Sequence, residues 1–450
     1  MEATLATGTD ASAGMAVLAP APTGPAAPPV RPGWGPELLP LDAGEQYRFT
    51  FSAESCIGCH SCEVACAEQN DLPVEVAWRK VGELEAGAFP GTRRLTISMA
   101  CNHCLEPTCL SGCPTNAYVK LATGSVSHRA EECIGCQYCI WNCPYEAPVF
   151  DRSRGIVTKC DMCQPRLEAG QAPACVSACP THAIGVQKVN VAAWRLEHGS
   201  ADAPGLPPSD ITLSTTRIEL PSLPAMVPVS EREVRPEDPH WPLIALTLLT
   251  QLSLGSVAAL VLLQRGGAPG GGAEPGGGAA LGAFLPGAVA LGASLFHLGR
   301  PAHALKALRN LRTSWLSREV LFLGLFSLAA FAYALSWSSA GSFIRWGRPA
   351  LGHATIALGI AGVYSSGRLY LVPARPVWNS PRTLVGFFAS AAAAGPLLAL
   401  LLVGDWAASS GTGRVLLVEA LLGTVTQLVV LARLAYVSRR RLDRQHQGTA

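Results

Sequence analysis

Hydrophobic and polar residues are patterned differently along successive stretches of this 450-residue chain, and each pattern predicts different elements. Residues 1–44 are rich in Ala, Pro, Gly and Thr; they bury too little apolar surface to offset the entropy of ordering, so a disordered arm is expected. In residues 45–190 the apolar runs are short. Gln46–Ser52 (QYRFTFS) and Leu95–Met99 alternate as strands do, while Pro107, Pro114, Pro144 and Pro148 punctuate loops. Residues 191–240 read as a linker with Pro and charge, in which Ile211–Leu223 predicts an extended strap. From Trp241 the pattern changes again. Segments 241–263, 278–298, 319–338, 349–367, 383–404 and 414–433 approach the length of about 20 apolar residues that crosses a bilayer, and they are apolar all round rather than striped. Residues 241–437 are therefore expected to form an all-α polytopic membrane domain of about six spans, with a basic tail at 438–450.

Sixteen cysteines, all between Cys56 and Cys179, define the chemistry of the middle stretch. They divide into four quartets: Cys56, Cys59, Cys62, Cys66; Cys101, Cys104, Cys109, Cys113; Cys133, Cys136, Cys139, Cys143; and Cys160, Cys163, Cys175, Cys179. The first and third are C-x2-C-x2-C-x3-C, the ferredoxin run that holds a cubane while its fourth cysteine serves a neighbouring cluster. Three thiolates on a tightly coiled loop converge on one cube, and the fourth is expected to begin a helix leading away, as in Ala65–Asn70. Four quartets thus predict four [4Fe-4S] clusters with the sixteen Cys as iron ligands, in an α+β bacterial-ferredoxin-like domain whose core the clusters largely supply. Disulfides suit short secreted chains, and cysteines two residues apart make strained pairs. Zinc ribbons use two separated C-x2-C pairs and give no reason for a third cysteine. Spacing leaves the pairing of quartets open; pairing first with fourth and second with third would nest one two-cluster unit inside another.

A formal net charge of +2 offers no footprint for nucleic acid. Its distribution says more. With six spans, the loops on the cluster side hold Arg300, Lys306, Arg309, Arg312, Arg318, Arg368, Arg375, Arg382, Arg433, Arg439, Arg440, Arg441 and Arg444, against Arg265, Arg345, Arg348 and Arg414 opposite. The positive-inside rule then puts the clusters on the cytoplasmic face, and the glycine-rich loop 266–279 outside as flexible linker. Trp241, Trp315, Trp337, Trp346, Trp378 and Trp406 fall at span ends, as an interfacial belt predicts. The first basic residue is Arg31, so no export signal is expected.

Ionisable residues in or beside spans are functional candidates. His297 ends the second span and Glu319 begins the third, both on the cluster side, where a quinol would meet a base and an electron acceptor. His353 and Glu419 fall toward the other face and read as polar groups satisfied by neighbouring helices. His297 and His353 approach opposite faces, which argues against haem b. Lys159 beside Cys160 could tune a cluster's potential through its charge but reads first as a solvated surface lysine; Arg300, Arg309 and Arg312 could hold lipid headgroups or dock the cluster domain, although topology alone accounts for them. There is no Ser/His/Asp constellation, Walker loop or Rossmann fingerprint.

SCIGCHSCEVACAEQN, ECIGCQYCIWNCPYEAP and TKCDMCQPRLEAGQAPACVSACP resemble the iron–sulfur subunit of dimethyl-sulfoxide-reductase-type molybdoenzyme complexes. HWPL, HLGRPAHALKALRNLRTSWLSREV and VYSSGRLYLVPARPVWN resemble the membrane anchor of the same complexes, so residues 46–440 look like a fusion of the two. The resemblance implies the nested pairing. Cys56, Cys59, Cys62 and Cys179 would hold one cluster and Cys160, Cys163, Cys175 and Cys66 a second; Cys101, Cys104, Cys109 and Cys143 a third, and Cys133, Cys136, Cys139 and Cys113 a fourth. It also implies a molybdopterin-containing partner beyond the first and fourth quartets, and a haem-free anchor that oxidises quinol near His297 and Glu319. Family anchors usually have eight spans, and family members often place the catalytic subunit outside the membrane; the six spans and cytoplasmic face expected here differ from both.

The function expected is that of a multi-pass electron-transfer subunit of the bacterial inner membrane in anaerobic respiration. It would oxidise menaquinol or ubiquinol from the quinone pool and pass electrons to a separate reductase subunit, with no substrate-reducing site of its own. Periplasmic orientation, reverse flow from a molybdo-dehydrogenase for formate or a sulfur compound, a cluster-powered proton-translocating protein and a non-catalytic metal scaffold are the rivals.

Overall fold

The computed structural model describes residues 38, 40–87, 91–223, 226–228, 239–265, 275–338, 346–404 and 410–447. Most of the expected arm 1–44, residues 266–274 of the glycine-rich loop, Arg345, Trp406 and the last residues of the tail lie outside the described residues.

Phe49 and Phe51 in β1 (Glu45–Ser52) turn one apolar face inward, and the strand becomes the centre of a three-stranded sheet. It pairs antiparallel with β8 (Ile184–Asn190) and parallel with β9 (Arg217–Glu219). The register Phe51↔Ile184 brings the strand leading into Cys56 beside the strand leading out of Cys179, so the two ends of the cysteine stretch are joined. A second sheet runs β10 (Met226–Pro228), β2 (Lys80–Ala86), β3 (Arg93–Met99). Two small hairpins follow: β4 (Tyr118–Lys120) with β5 (Val126–His128) between the second and third quartets, and β6 (Val149–Asp151) with β7 (Ile156–Thr158) between the third and fourth. Phe49, Phe51, Leu84, Ile97, Met162 and Ile184 form an apolar core that also takes in Cys62, Cys101, Cys160 and Cys175.

The short helices are α1 (Ser61–Gln69), α2 (Thr108–Gly112), α3 (Tyr138–Asn142), α4 (Gln164–Glu168) and α5 (Ala174–Ser177). Their placement corrects an expectation. Four of them, α1, α2, α3 and α5, carry the third cysteine of each quartet (Cys62, Cys109, Cys139, Cys175), and in the second and third quartets the fourth cysteine ends a helix rather than starting one. Proline is the reason. Cys113 and Cys143 precede Pro114 and Pro144, which exclude the helical conformation from the residue before them; both are extended, with ψ of 122° and 117°. Cys66 has no proline after it, and α1 runs on to Gln69.

The linker 191–240 is not a bare strap. Asn190 caps α6 (Val191–Glu197) by accepting from the backbone N–H of Ala192 and Ala193. Trp194 is then buried at 1 % exposure, and Thr212, Thr215 and Thr216 hydrogen-bond into the second quartet.

The membrane half contains α7 (Trp241–Arg265), α8 (Gly277–Ser294), α9 (Trp315–Leu335), α10 (Arg348–Leu369), α11 (Pro381–Val403) and α12 (Gly411–Gln447). Five of them, all but α10, are long and apolar enough to cross a membrane. α10 carries Arg348, His353 and Arg368, and packs a face of small residues (Gly352, Thr355, Gly359, Gly362, Ser366) against α7 and α9. It needs less lipid-facing hydrophobicity because its neighbours cover it. Small residues also bring α7 and α11 together, where a Cβ on Gly255 would lie 2.1 Å from the Ala391 carbonyl. α12 continues from the expected sixth span into the basic tail.

The two halves meet backbone to backbone. Gly135, in the third quartet at φ +69°, has room for no side chain: a Cβ there would lie 2.4 Å from the Gly155 carbonyl and 2.8 Å from Gly299 Cα, in the loop after α8. Gly135→Ala is expected to cost about 1–3 kcal/mol in left-handed backbone strain alone, with the clash added. It should lower the thermal midpoint of the detergent-solubilised protein, as should Gly299→Ala, whereas Gly170→Ala, at φ +71° with open space around it, should carry only the strain. Equal midpoints for all three variants would refute the close-docking account.

Candidate functional site

Each quartet begins with the same local device. The residue two after the first cysteine is left-handed (Gly58 φ 66°, His103 φ 45°, Gly135 φ 69°, Met162 φ 66°). In three of the quartets that turn aims its backbone N–H back at the sulfur: His103 to Cys101, 3.5 Å; Gly135 to Cys133, 3.4 Å; Met162 to Cys160, 3.4 Å. Donors of this kind stabilise a thiolate before any metal is present.

Sulfurs from different quartets are neighbours. Cys56 feels the charge of Cys179 and Cys59. Cys66 lies among Cys175 and Cys163, and Cys160 has Cys66 beside it. Cys109 faces Cys101, Cys143 and Cys104, while Cys139 faces Cys136, Cys113 and Cys133. The supporting helices pair likewise, α1 with α5 and α2 with α3. Burial pushes the thiols of Cys109, Cys139 and Cys160 well up, so unaided they would stay protonated. Iron compensates such a desolvation, and all sixteen cysteines are free of disulfides. No three Cys, His, Asp or Glu among the described residues converge tightly enough for a single metal ion. A cubane spreads its ligands over four irons, so the sulfur groups fit that larger unit.

Buried cations answer the cysteine charge, and local sequence does not announce them. Lys159, expected at the surface, is instead 2 % exposed and donates to the carbonyls of Cys160 (2.7 Å) and Val126. Burial alone would lower its pKa; Cys101, Cys109 and Cys160, once they are thiolates, more than offset this and raise it. Arg79, 3 % exposed, donates to the carbonyl (3.3 Å) and hydroxyl (3.1 Å) of Ser98 and stands among Cys175, Cys160, Cys62 and Cys66. Nothing in the residues around Arg79 or Lys159 signals burial; only the approach of distant loops creates it.

The second and third quartets face the membrane helices. Asn310 Nδ2 donates to the Cys113 carbonyl at 2.8 Å and Ser314 Oγ to the Gly112 carbonyl at 2.8 Å. Arg300 donates to the Ala130 carbonyl at 2.9 Å, and Lys306 and Arg309 grip Glu132, so Arg300 and Arg309 do more than set topology. Trp141 of α3 inserts among His240, Tyr370 and Trp378, with ring centroids 5.8–6.4 Å away.

Beneath this contact lies an apolar cavity of about 510 Å³, bounded by Cys136, Tyr138, Leu246, His297, Glu319 and Tyr370 among others. Both sequence candidates, His297 and Glu319, therefore share one chamber with a third-quartet cysteine. Glu319 is 3 % exposed and lies against Ser366. His297 Nδ1 donates to the Ser294 carbonyl, which leaves Nε2 with its lone pair free. Tyr138, two residues from Cys136, donates its hydroxyl hydrogen to the Leu369 carbonyl at 3.0 Å and ties the cysteine loop to α10. Of the other two, His353 bonds the Pro349 carbonyl one turn back, and Glu419 borders a separate apolar groove between α11 and α12.

Comparison with known proteins agrees with this division. Residues 93–189 match the 4Fe-4S dicluster domain family and residues 237–444 the DMSO reductase anchor subunit (DmsC) family. The protein is 42 % identical to the B subunit of the anaerobic dimethyl sulfoxide reductase of Haemophilus influenzae, over 37 % of its own length and 86 % of that subunit. It belongs to that family of iron–sulfur subunits, fused to a DmsC-type anchor. The corresponding B subunit of Escherichia coli is 36 % identical over 35 % of this protein and 80 % of its own length. The iron–sulfur subunit of a nitrate-inducible Escherichia coli formate dehydrogenase is 38 % identical over 30 % of this protein and 51 % of its own length. The fusion is thus a membrane-integral electron-transfer subunit with iron–sulfur clusters, of the kind that serves a molybdoenzyme catalytic partner.

Glu132 gives the docking of this fusion a pH dependence. Although burial acts to raise its pKa, Lys306 and Arg309 hold the carboxyl below its ordinary value. A lowered folded-state pKa means the contribution is present above the unfolded value, about 4.3, and is lost as pH falls through the folded value. The thermal midpoint should therefore fall on acidification below about pH 4.3, by an amount that corresponds to about 0.2–1 kcal/mol for a solvent-screened pair. In Glu132→Gln that part of the fall should vanish, and an unchanged pH profile would refute the role.

Proposed function

We propose that this chain oxidises a quinol in the cavity beneath the third quartet and delivers electrons to a separate molybdopterin-containing subunit of the dimethyl-sulfoxide-reductase type. The observation that carries this reading is the cavity itself: apolar, sized for a ring, with Cys136 in one wall and His297 and Glu319 in others. A quinol gives up two electrons and two protons. Its hydroxyls would donate to His297 Nε2 and to the Glu319 carboxylate, so each proton has an acceptor, while the surrounding leucines exclude water.

The sixteen cysteines would hold four [4Fe-4S] clusters in the nested arrangement: Cys56, Cys59, Cys62, Cys179; Cys66, Cys160, Cys163, Cys175; Cys101, Cys104, Cys109, Cys143; Cys113, Cys133, Cys136, Cys139. What bound clusters supply is reversible one-electron storage. The chain's own contribution is to line the sites up from the cavity to the β1–β8 end, where the catalytic partner would dock. The excess of basic residues in the loops after α8 and α10, which touch the cluster domain, supports a cytoplasmic cluster domain at the bacterial inner membrane. The likeness to a formate dehydrogenase subunit favours one rival, reverse flow into quinone.

Glu319→Gln should slow quinol-driven cluster reduction about 10²–10⁴-fold, the contribution of one acid–base group, as should His297→Ala, with dithionite-reducible clusters unchanged. Rates within about twofold of the parent would remove both residues from the mechanism. EPR of Cys113→Ser and Cys136→Ser should show damage to one and the same cluster, and Cys143→Ser damage to another; a shared defect of Cys113→Ser and Cys143→Ser would overturn the nesting. Redox-poised EPR tests direction, since uniformly very low midpoint potentials would favour reverse flow.

A further inference from the structure

His103 takes no part in the proposed quinol chemistry, yet it is fully buried (0 % exposed) in the second quartet, between Cys101 and Cys104. Its backbone N–H donates to Cys101 Sγ, and its carbonyl accepts from Lys120 Nζ at 3.2 Å. The ring leaves that loop altogether. Nε2 lies 3.7 Å from Cys160 Sγ, the first cysteine of the fourth quartet and 57 residues further along the chain.

Which atom donates is decided at the other ring nitrogen. The backbone N–H of Val126, at the start of β5, donates to Nδ1 at 2.9 Å. Nδ1 must then offer its lone pair, and in a neutral imidazole the proton sits on Nε2. The Nε2–H is therefore the donor and the Cys160 sulfur the acceptor. Backbone and side chain of one residue thus hydrogen-bond sulfurs of two different groups, Cys101 with Cys104, Cys109 and Cys143, and Cys160 with Cys66, Cys163 and Cys175. The backbone of His103 is left-handed at φ 45°, uncommon for a residue other than glycine.

We propose that His103 is a positioning residue that bridges two adjacent cluster sites and raises the reduction potential of the one held by Cys66, Cys160, Cys163 and Cys175. Hydrogen bonds to ligand sulfurs draw charge off them and favour the more negative, reduced state, which is how a protein sets cluster potential. The bridge also fixes the separation of the two sulfur groups, because the imidazole is rigid and both of its nitrogens are engaged. The inference rests on the proposed assignment of those four cysteines to one cluster.

The test uses the full-length protein in detergent with its clusters in place. Pulsed EPR of the reduced protein labelled with ¹⁵N-histidine should show a weak nitrogen coupling, lost in His103→Asn, whose amide tolerates the left-handed backbone but is too short to reach Cys160. In redox-poised EPR, His103→Asn should lower one midpoint of the four by about tenfold in the one-electron equilibrium constant, about 59 mV. His103→Gln, with an amide N–H at about the reach of Nε2, should recover at least half of that. Four clusters without imidazole coupling in the unaltered protein, or equal shifts in the Asn and Gln variants, would overturn the bridge. Fewer than four clusters in the unaltered protein would instead overturn the assignment beneath it.

Discussion

The N-terminal half depends on one constraint: sixteen cysteines, eleven of them buried, are gathered close together without the cost of burying their sulfurs opening the domain. A thiolate in an apolar interior is costly unless donors or cations face it. The chain meets that cost in two ways. Left-handed turns at Gly58, His103, Gly135 and Met162 let the loops turn donors toward sulfur, and Arg79 and Lys159 bring fixed positive charge between sulfur groups. Thr212 and Ser98 add hydroxyls at 3.1 Å and 3.3 Å from Cys104 and Cys62.

The same constraint explains the docking. A carrier site serves a membrane reaction only if it lies close to the bilayer surface, and an ordinary side-chain interface would hold it away. Three glycines, Gly135, Gly155 and Gly299, let the third quartet approach the loop after α8 with nothing but backbone between them. Trp141 and the Glu132 ion pairs then fix the angle of approach at the rim. The cavity with His297 and Glu319 is a product of that contact, since its walls come from both halves.

Much of this is legible in the chain. Cysteine spacing points to the kind of cofactor, all-round apolar runs to the membrane helices, and ionisable residues at span ends to His297 and Glu319. Other features are legible but easily misread. The prolines after Cys113 and Cys143 state that a helix ends there, whereas ferredoxin spacing taken alone puts a helix start at the fourth cysteine. α10 looks like a span equal to the others, but it is less apolar because its glycine- and serine-rich face meets protein rather than lipid.

What the sequence determined by itself is local: ligand spacing, helix length and backbone conformations that glycine and proline enforce, all set within a few residues along the chain. What only the tertiary structure decided is who meets whom. Cys66 stands among Cys175 and Cys163 of another quartet, Lys159 is buried, His103 reaches Cys160, and Cys136 shares a chamber with Glu319. These contacts join residues tens to hundreds of positions apart. They depend on the β1–β8 register and the glycine contact, long-range pairings that leave no periodicity to read.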